Sequence, residues 1–203
     1  LQGEKMPVQV IAGCMFSGKT NELCRRIIRF LLAKKKVAIF SPKCDTRKTR
    51  SVSGLLRKSL PENVKISIPE TIGVRSPTDI LRALRKKRKI EVVAIDEAQF
   101  FSKRQSQRFL DFLTRTQKGR IIIVAGLDTD FLHRPFGVMP AVLAVADEIV
   151  KLTAVCEKCG NDRASYTQRL INGRPASSNS PIVLIGDKES YEPRCEKCFE
   201  VGS

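Results

Sequence analysis

The chain has 203 residues, enough to bury a full α/β core, and 37 Lys plus Arg against 21 Asp plus Glu give a formal charge of +16. No run of about 18 apolar residues exists, and Leu1-Gln2-Gly3-Glu4-Lys5 lacks the basic-then-apolar order of a signal peptide, so a soluble, cytoplasmic protein without a membrane partner is expected. The basic residues lie in short scattered clusters, there is no Trp, and aromatics are not interleaved with them. That pattern fits solvated helix faces and argues against a dedicated nucleic-acid groove.

The apolar run 8–12 leads into Gly13-Cys14-Met15-Phe16-Ser17-Gly18-Lys19-Thr20, which fits the phosphate-loop pattern G-x-x-x-x-G-K-[ST]. A strand that feeds a glycine-rich turn and then a helix aims backbone N–H groups and the positive end of a helix dipole at one concavity. There the loop would cradle the phosphates of ATP, Lys19 would reach the β- and γ-phosphates, and the Thr20 hydroxyl would hold Mg2+.

Residues 21–33 read as a helix with Leu23, Ile27, Phe30 and Leu31 on one face. A short buried strand follows at 37–40, then a polar, basic, mobile loop from Ser41 to about Pro61. A helix is expected over 77–87. The run 90–95 ends in Asp96-Glu97, the pattern of a buried parallel strand that delivers an acid beside the phosphate loop. Asp96 is the candidate metal-binding acid, and Glu97, one residue beyond and outside the strand, can do other work. A helix over 103–117, a buried strand over 120–126, a second active-site loop over 127–137, a helix near 138–146 and a strand near 148–153 complete an alternating pattern. The expected fold is therefore α/β, a P-loop parallel sheet flanked by helices.

Beyond about residue 152 the composition changes. Cys156-x-x-Cys159 and Cys195-x-x-Cys198 form two C-x2-C pairs, the arrangement of a structural zinc site in a reducing compartment, with redox pairs as the alternative. Between Cys159 and Cys195 lie 35 residues rich in Gly, Pro, Ser and Asn. A connection of that length reads as a lid tethered at both ends by the metal cluster. The expected division is residues 1–151 as an ATP-binding domain and 152–203 as a small zinc-binding domain carrying the lasso. Cys14, Cys24 and Cys44 are expected as unpaired thiols, Cys14 partly exposed at the phosphate loop, and the lone His133 as an exposed loop residue.

Several motifs in order resemble the type II thymidine kinases, over nearly the whole chain from Val8 to Cys198. They are Met15 to Thr20; Asp45-Thr46-Arg47; Asp96-Glu97-Ala98-Gln99-Phe100-Phe101; Gly126-Leu127-Asp128 through Phe131; Arg134-Pro135-Phe136-Gly137; Lys151 to Cys156; Thr167-Gln168-Arg169; and Tyr191 to Cys195. The resemblance implies transfer of the ATP γ-phosphate to the 5′-hydroxyl of thymidine, with Glu97 as general base. It places Asp45 near the metal and phosphates and gives Arg47 the role of a cation on the transferred group. It puts Met15, Phe101, Leu127, Phe131, Thr167 and Tyr191 around the thymine, although Phe101, Leu127 and Phe131 also read as core residues. Ile182, Leu184 and Gly186 of the lid would present backbone groups to the base. A homotetramer and feedback by thymidine triphosphate are further implications. The chain departs from the family pattern at Cys14, where Pro or Ser is usual, at Lys48 in place of Tyr, at 51–54, which lacks a His, and at Asp187 in the lid. The rival reading is a basic zinc-ribbon ATPase or nucleic-acid module that uses ATP as a switch.

Overall fold

A computed structural model describes residues 5–43, 51–60, 66–87, 89–183 and 189–202, with the side chains of 189 and 190 left aside. Asp45, Arg47, Lys48, Leu184, Gly186 and Asp187 therefore lie outside the described residues, as does Cys44. Six strands form one parallel sheet: β1 (Val8–Gly13), β2 (Val37–Pro42), β3 (Thr71–Val74), β4 (Val92–Ile95), β5 (Ile121–Gly126) and β6 (Glu148–Leu152), in the order β3-β2-β4-β5-β1-β6. Each crossover is helical: α1 (Lys19–Leu32), α2 (Val52–Ser59), α3 (Pro77–Lys86), α4 (Ser106–Thr116) and α5 (Met139–Val145).

The central strands β4 and β5 are aliphatic and fully buried because both faces of the sheet are covered there, whereas edge strand β6, with Glu148 and Lys151, is largely exposed; along the buried strands successive side chains alternate between two cores. In β5, Ile122 and Val124 join Ile80 and Leu84 of α3, Phe109 and Phe112 of α4 and Val142 of α5. Ile121, Ile123 and Ala125 point the other way, into a core with Leu23 and Ile27 of α1 and Val52 and Leu56 of α2. Burying these side chains contributes about 1.5–3 kcal/mol each, so the sheet is the rigid part on which the loops are mounted. Arg26, buried on α1, donates to Glu22 Oε1, Gln9 Oε1 and Glu148 Oε1, each at 2.8 Å, and so ties the helix to β1 and to edge strand β6.

Two expectations about the first half change. Residues 41–61 do not read through as a loop: Ser51 Oγ accepts from Gly54 N at 3.1 Å and caps α2, whose Ser53 Oγ donates to Pro69 O at 2.9 Å beside β3. The short edge strand β3 was not expected either. The helix expected over 103–117 starts with a 3-10 turn, Lys103–Gln105, before α4.

The stretch between the cysteine pairs also differs from a simple lid. It carries a three-stranded antiparallel sheet, β8-β7-β9, from β7 (Tyr166–Ile171), β8 (Arg174–Pro175) and β9 (Glu189–Arg194). Asn172 and Gly173, with φ of 50° and 75°, make the two-residue turn between β7 and β8, the left-handed pair that matches hairpin twist. Only the chain between β8 and β9 is left to form a lid. No helix among the described residues is long and apolar enough to cross a membrane.

Candidate active site

In a parallel sheet all strand carboxyl ends share one edge, and here three adjacent strands deliver the polar groups. β1 ends in the phosphate loop, β4 in Asp96 and Glu97, and β5, between them, in Leu127 and Asp128.

The loop's shape is fixed by its backbone. Gly13 has φ 142°, and a Cβ there would sit 2.3 Å from Leu152 O, so only glycine fits against β6. Gly18, with φ 83°, turns the chain into α1, and Phe16 is also left-handed at φ 64°. Ser17 Oγ and Lys19 Nζ both donate to Cys14 O, at 2.8 and 2.6 Å. Burial pushes the Lys19 pKa down, while Glu97, Cys14, Asp96 and Asp128 act to raise it. A partly desolvated ammonium at the mouth of a helix is suited to bind an anion.

Two further bonds hold the loop from the cysteine-bearing part of the chain. Met15 N donates to Thr167 Oγ1 at 3.0 Å, and Cys14 Sγ donates to Ala164 O at 3.2 Å. Cys14 is therefore buried, not partly exposed, and desolvation raises its pKa. Cys24 is buried as well, its pKa pushed by burial to about 12.

Asp96 is buried at the end of β4, its backbone N donating to Phe40 O at 2.9 Å, and Thr20 Oγ1 donates to its Oδ2 at 3.4 Å. A hydroxyl and a carboxylate oxygen so close at the foot of a phosphate loop are hard-oxygen donors of the kind Mg2+ takes. Glu97 stands in the left-handed region at φ 53°, its N donating to Asp96 Oδ1 at 3.0 Å. The two carboxylates take different partners, Asp96 the loop's threonine and Glu97 the amide of Gln99. Gln99 Nε2 donates to Glu97 Oε2, and Gln99 Oε1 accepts from Leu127 N at 3.0 Å.

Of the base-pocket candidates, Phe101 is buried in the sheet core with its ring 5.4 Å from Phe109. Leu127, Phe131 and Thr167 are buried, Met15 and Tyr191 are half-buried, and Ile182 is exposed. Phe131 and Tyr191 are brought together by a residue to which the sequence assigned no role, Arg169. Its guanidinium lies 4.9 Å from the Phe131 ring centroid and 6.0 Å from that of Tyr191, and Nη1 donates to Pro181 O. Sequence reasoning passes over Arg169 and Gln99 because a polar residue's burial is set by what folds over it. Their only signal was a place inside the ordered motifs. Asp128, also unassigned, pairs Oδ2 with Lys151 Nζ at 2.7 Å. His133 is exposed as expected, its ring tilted by 31° against that of Tyr166 with the centroids 4.0 Å apart.

Cys156, Cys159, Cys195 and Cys198 converge, their Sγ atoms all within 4.8 Å of one another and Cys159 to Cys195 at 3.6 Å. With Zn–S near 2.3 Å, tetrahedral geometry puts sulfur atoms about 3.8 Å apart. The four thiols fit a structural zinc ion, and closed four-sulfur ligation leaves no position for chemistry.

A family model described as "Thymidine kinase" matches residues 6–199. A thymidine kinase of Mesoplasma florum is 40% identical over 199 residues, covering 96% of this chain and 91% of that protein. A thymidine kinase of Coprothermobacter proteolyticus is 44% identical over 198 residues, covering 96% of this chain and 90% of its own.

Proposed function

This chain belongs to the thymidine kinase family, and we propose that it transfers the γ-phosphate of ATP to the 5′-hydroxyl of thymidine, yielding thymidine monophosphate for nucleotide salvage. The observation that carries the reading is the meeting, at the ends of β1, β4 and β5, of a phosphate loop, the Thr20–Asp96 pair and a separately aimed Glu97.

In this reading the N–H groups of Gly13, Cys14, Met15, Phe16, Ser17, Gly18, Lys19 and Thr20 wrap the polyphosphate. Lys19 exchanges the Cys14 carbonyl for phosphate oxygens, an exchange favoured by its desolvation. Thr20 and Asp96 would hold Mg2+, which supplies charge neutralisation on the β- and γ-oxygens when bound. Glu97 accepts the proton of the 5′-hydroxyl as that oxygen attacks phosphorus. By the family resemblance, Asp45 and Arg47 act on the phosphate side. Met15, Phe101, Leu127, Phe131, Thr167 and Tyr191 hold the thymine, and Ile182, Leu184 and Gly186 close over it. The burial of Phe101 in the core makes it a floor beneath the pocket in this assignment.

We take residues 1–151 as the ATP-binding domain and 152–203 as the zinc-binding domain with its lasso, anchored by Cys156, Cys159, Cys195 and Cys198. Cytoplasmic location, a homotetrameric assembly and feedback by thymidine triphosphate complete the proposal on family resemblance.

The test is phosphate transfer from ATP and Mg2+ to thymidine, with deoxycytidine and single-stranded DNA as parallel additions. Thymidine-dependent monophosphate formation is expected, reduced about 10²–10⁴-fold in kcat by Glu97→Gln with thymidine binding retained. ATP turnover that requires DNA would overturn the reading, and a Glu97→Gln enzyme with normal kcat would overturn the base assignment.

A further inference from the structure

Gln99 lies two residues beyond Glu97 in the 3-10 turn Ala98–Phe100 and is only 1% exposed. Both ends of its amide are engaged, Nε2 as donor to Glu97 Oε2 and Oε1 as acceptor from Leu127 N. These bonds admit one orientation. A flipped amide would set Oε1 against a carboxylate oxygen and its NH2 against a backbone N–H, both repulsive.

The surroundings hold the amide in place. A Cβ at Gly126 would come 2.8 Å from Gln99 Oε1, and one at Gly137 would come 2.0 Å from Gln99 O. Two glycines thus let β5 and the return of the 127–137 loop close onto Gln99 from either side. The backbone of Glu97 sits in a sparsely populated region, and the terminal torsion of a glutamate is broad, so contacts decide where its carboxylate oxygens point. A charge-assisted N–H on Oε2 fixes that rotation.

We propose that Gln99 is the positioning residue for the base carboxylate and that it links this carboxylate to the loop beginning at Leu127. The inference rests on the kinase reading. In the step it serves, the 5′-O–H bond breaks and its proton goes to a Glu97 carboxylate oxygen. The 5′-oxygen forms a bond to the γ-phosphorus, and the bond from that phosphorus to the leaving ADP oxygen breaks. Gln99 gives up no proton. It holds Oε2 throughout, so the accepting oxygen meets the hydroxyl without a search over rotamers.

The experiment compares kcat and the KM values for thymidine and ATP in wild type, Glu97→Gln, Gln99→Leu, Gln99→Glu and the Glu97→Gln/Gln99→Leu double variant. Melting temperatures are recorded beside them. Gln99→Leu removes both amide bonds. Gln99→Glu keeps the shape and the acceptor for Leu127 N and reverses only the end facing Glu97, so it stands in if the leucine variant fails to fold. Both are expected to lower kcat about 10–100-fold, the worth of one charge-assisted hydrogen bond, with both KM values within about threefold. In the Glu97→Gln background, where no base remains to position, Gln99→Leu is expected to cost less than about threefold more. Retention of wild-type kcat by either Gln99 variant, or a full multiplicative loss in the double variant, would overturn the proposal while leaving the kinase reading intact. A wild-type protein with no thymidine-dependent transfer would overturn both.

Discussion

Replacing Thr167 by valine tests whether the cysteine-bearing part of the chain holds the phosphate loop. Thr167 is buried and its Oγ1 accepts the Met15 N–H at 3.0 Å; valine has nearly the same shape and no acceptor. A buried donor left unsatisfied costs about 1–3 kcal/mol. Met15 is half-buried, so water reaches its N–H in part and the cost falls at about 1–2 kcal/mol. For a chain of this size that is a fall of roughly 2–8 °C in melting temperature. To the extent that the loosened bond lies in the loop itself, ATP affinity falls with it, by up to about 5–30-fold. The assay is thermal denaturation beside calorimetric titration with ATP and Mg2+ in the absence of thymidine, since Thr167 is also assigned to the base pocket. Thr167→Ser keeps the hydroxyl and is the control. A valine variant that binds ATP like wild type, or a serine variant as impaired as the valine, would refute the coupling.

Arg169→Lys keeps a charge but loses the planar fork that reaches Pro181 O and lies over Phe131 and Tyr191; a loss of about 1–3 kcal/mol in urea unfolding and faster limited proteolysis beyond Pro181 are expected. Cys195→Ser should abolish stoichiometric zinc by metal analysis and lower the unfolding free energy by more than about 3 kcal/mol, because the cluster closes residues far apart in sequence. The Glu22 carboxyl, held by Arg25 and Arg26, is lowered from 4.5 to about 2. A carboxyl depressed on folding adds stability that is full above its unfolded value and is lost as pH falls from about 4.5 toward 2. Urea midpoints taken between pH 5 and 2 should therefore drop less steeply in Glu22→Gln than in wild type.

The parts legible in the sequence are those whose cause is local. Four consecutive aliphatics before Asp96, the glycine spacing of 13–20 and the two C-x2-C pairs each impose their geometry on their own neighbours. The elements that escaped depend on distant partners. Helix α2 has only eight residues and carries Gly54 inside; it is held by the Ser51 cap and by burial of Val52 and Leu56 against the sheet. Strand β3 is four residues long and exists because β2 offers a free edge. Asn172-Gly173 reads as loop composition, but it is a hairpin turn after strand β7, which buries Thr167, Gln168 and Arg169 on both of its faces, polar side chains that no hydrophobic pattern marks.

Cys14 shows how these two kinds of constraint divide a single loop. A phosphate loop grips its ligand through backbone N–H groups, so the side chain at position 14 is not committed to the anion. What decides it is the far side: the thiol is buried, donates to Ala164 O just ahead of β7, and is made less acidic by burial, which leaves a packing group and not a nucleophile. Its neighbour Gly13 has no such latitude, because Leu152 O occupies the space where any Cβ would go. The departure from the family pattern at Cys14 therefore falls where the loop meets the cysteine-bearing segment, and the positions that shape the anion cradle keep the glycines their backbone requires.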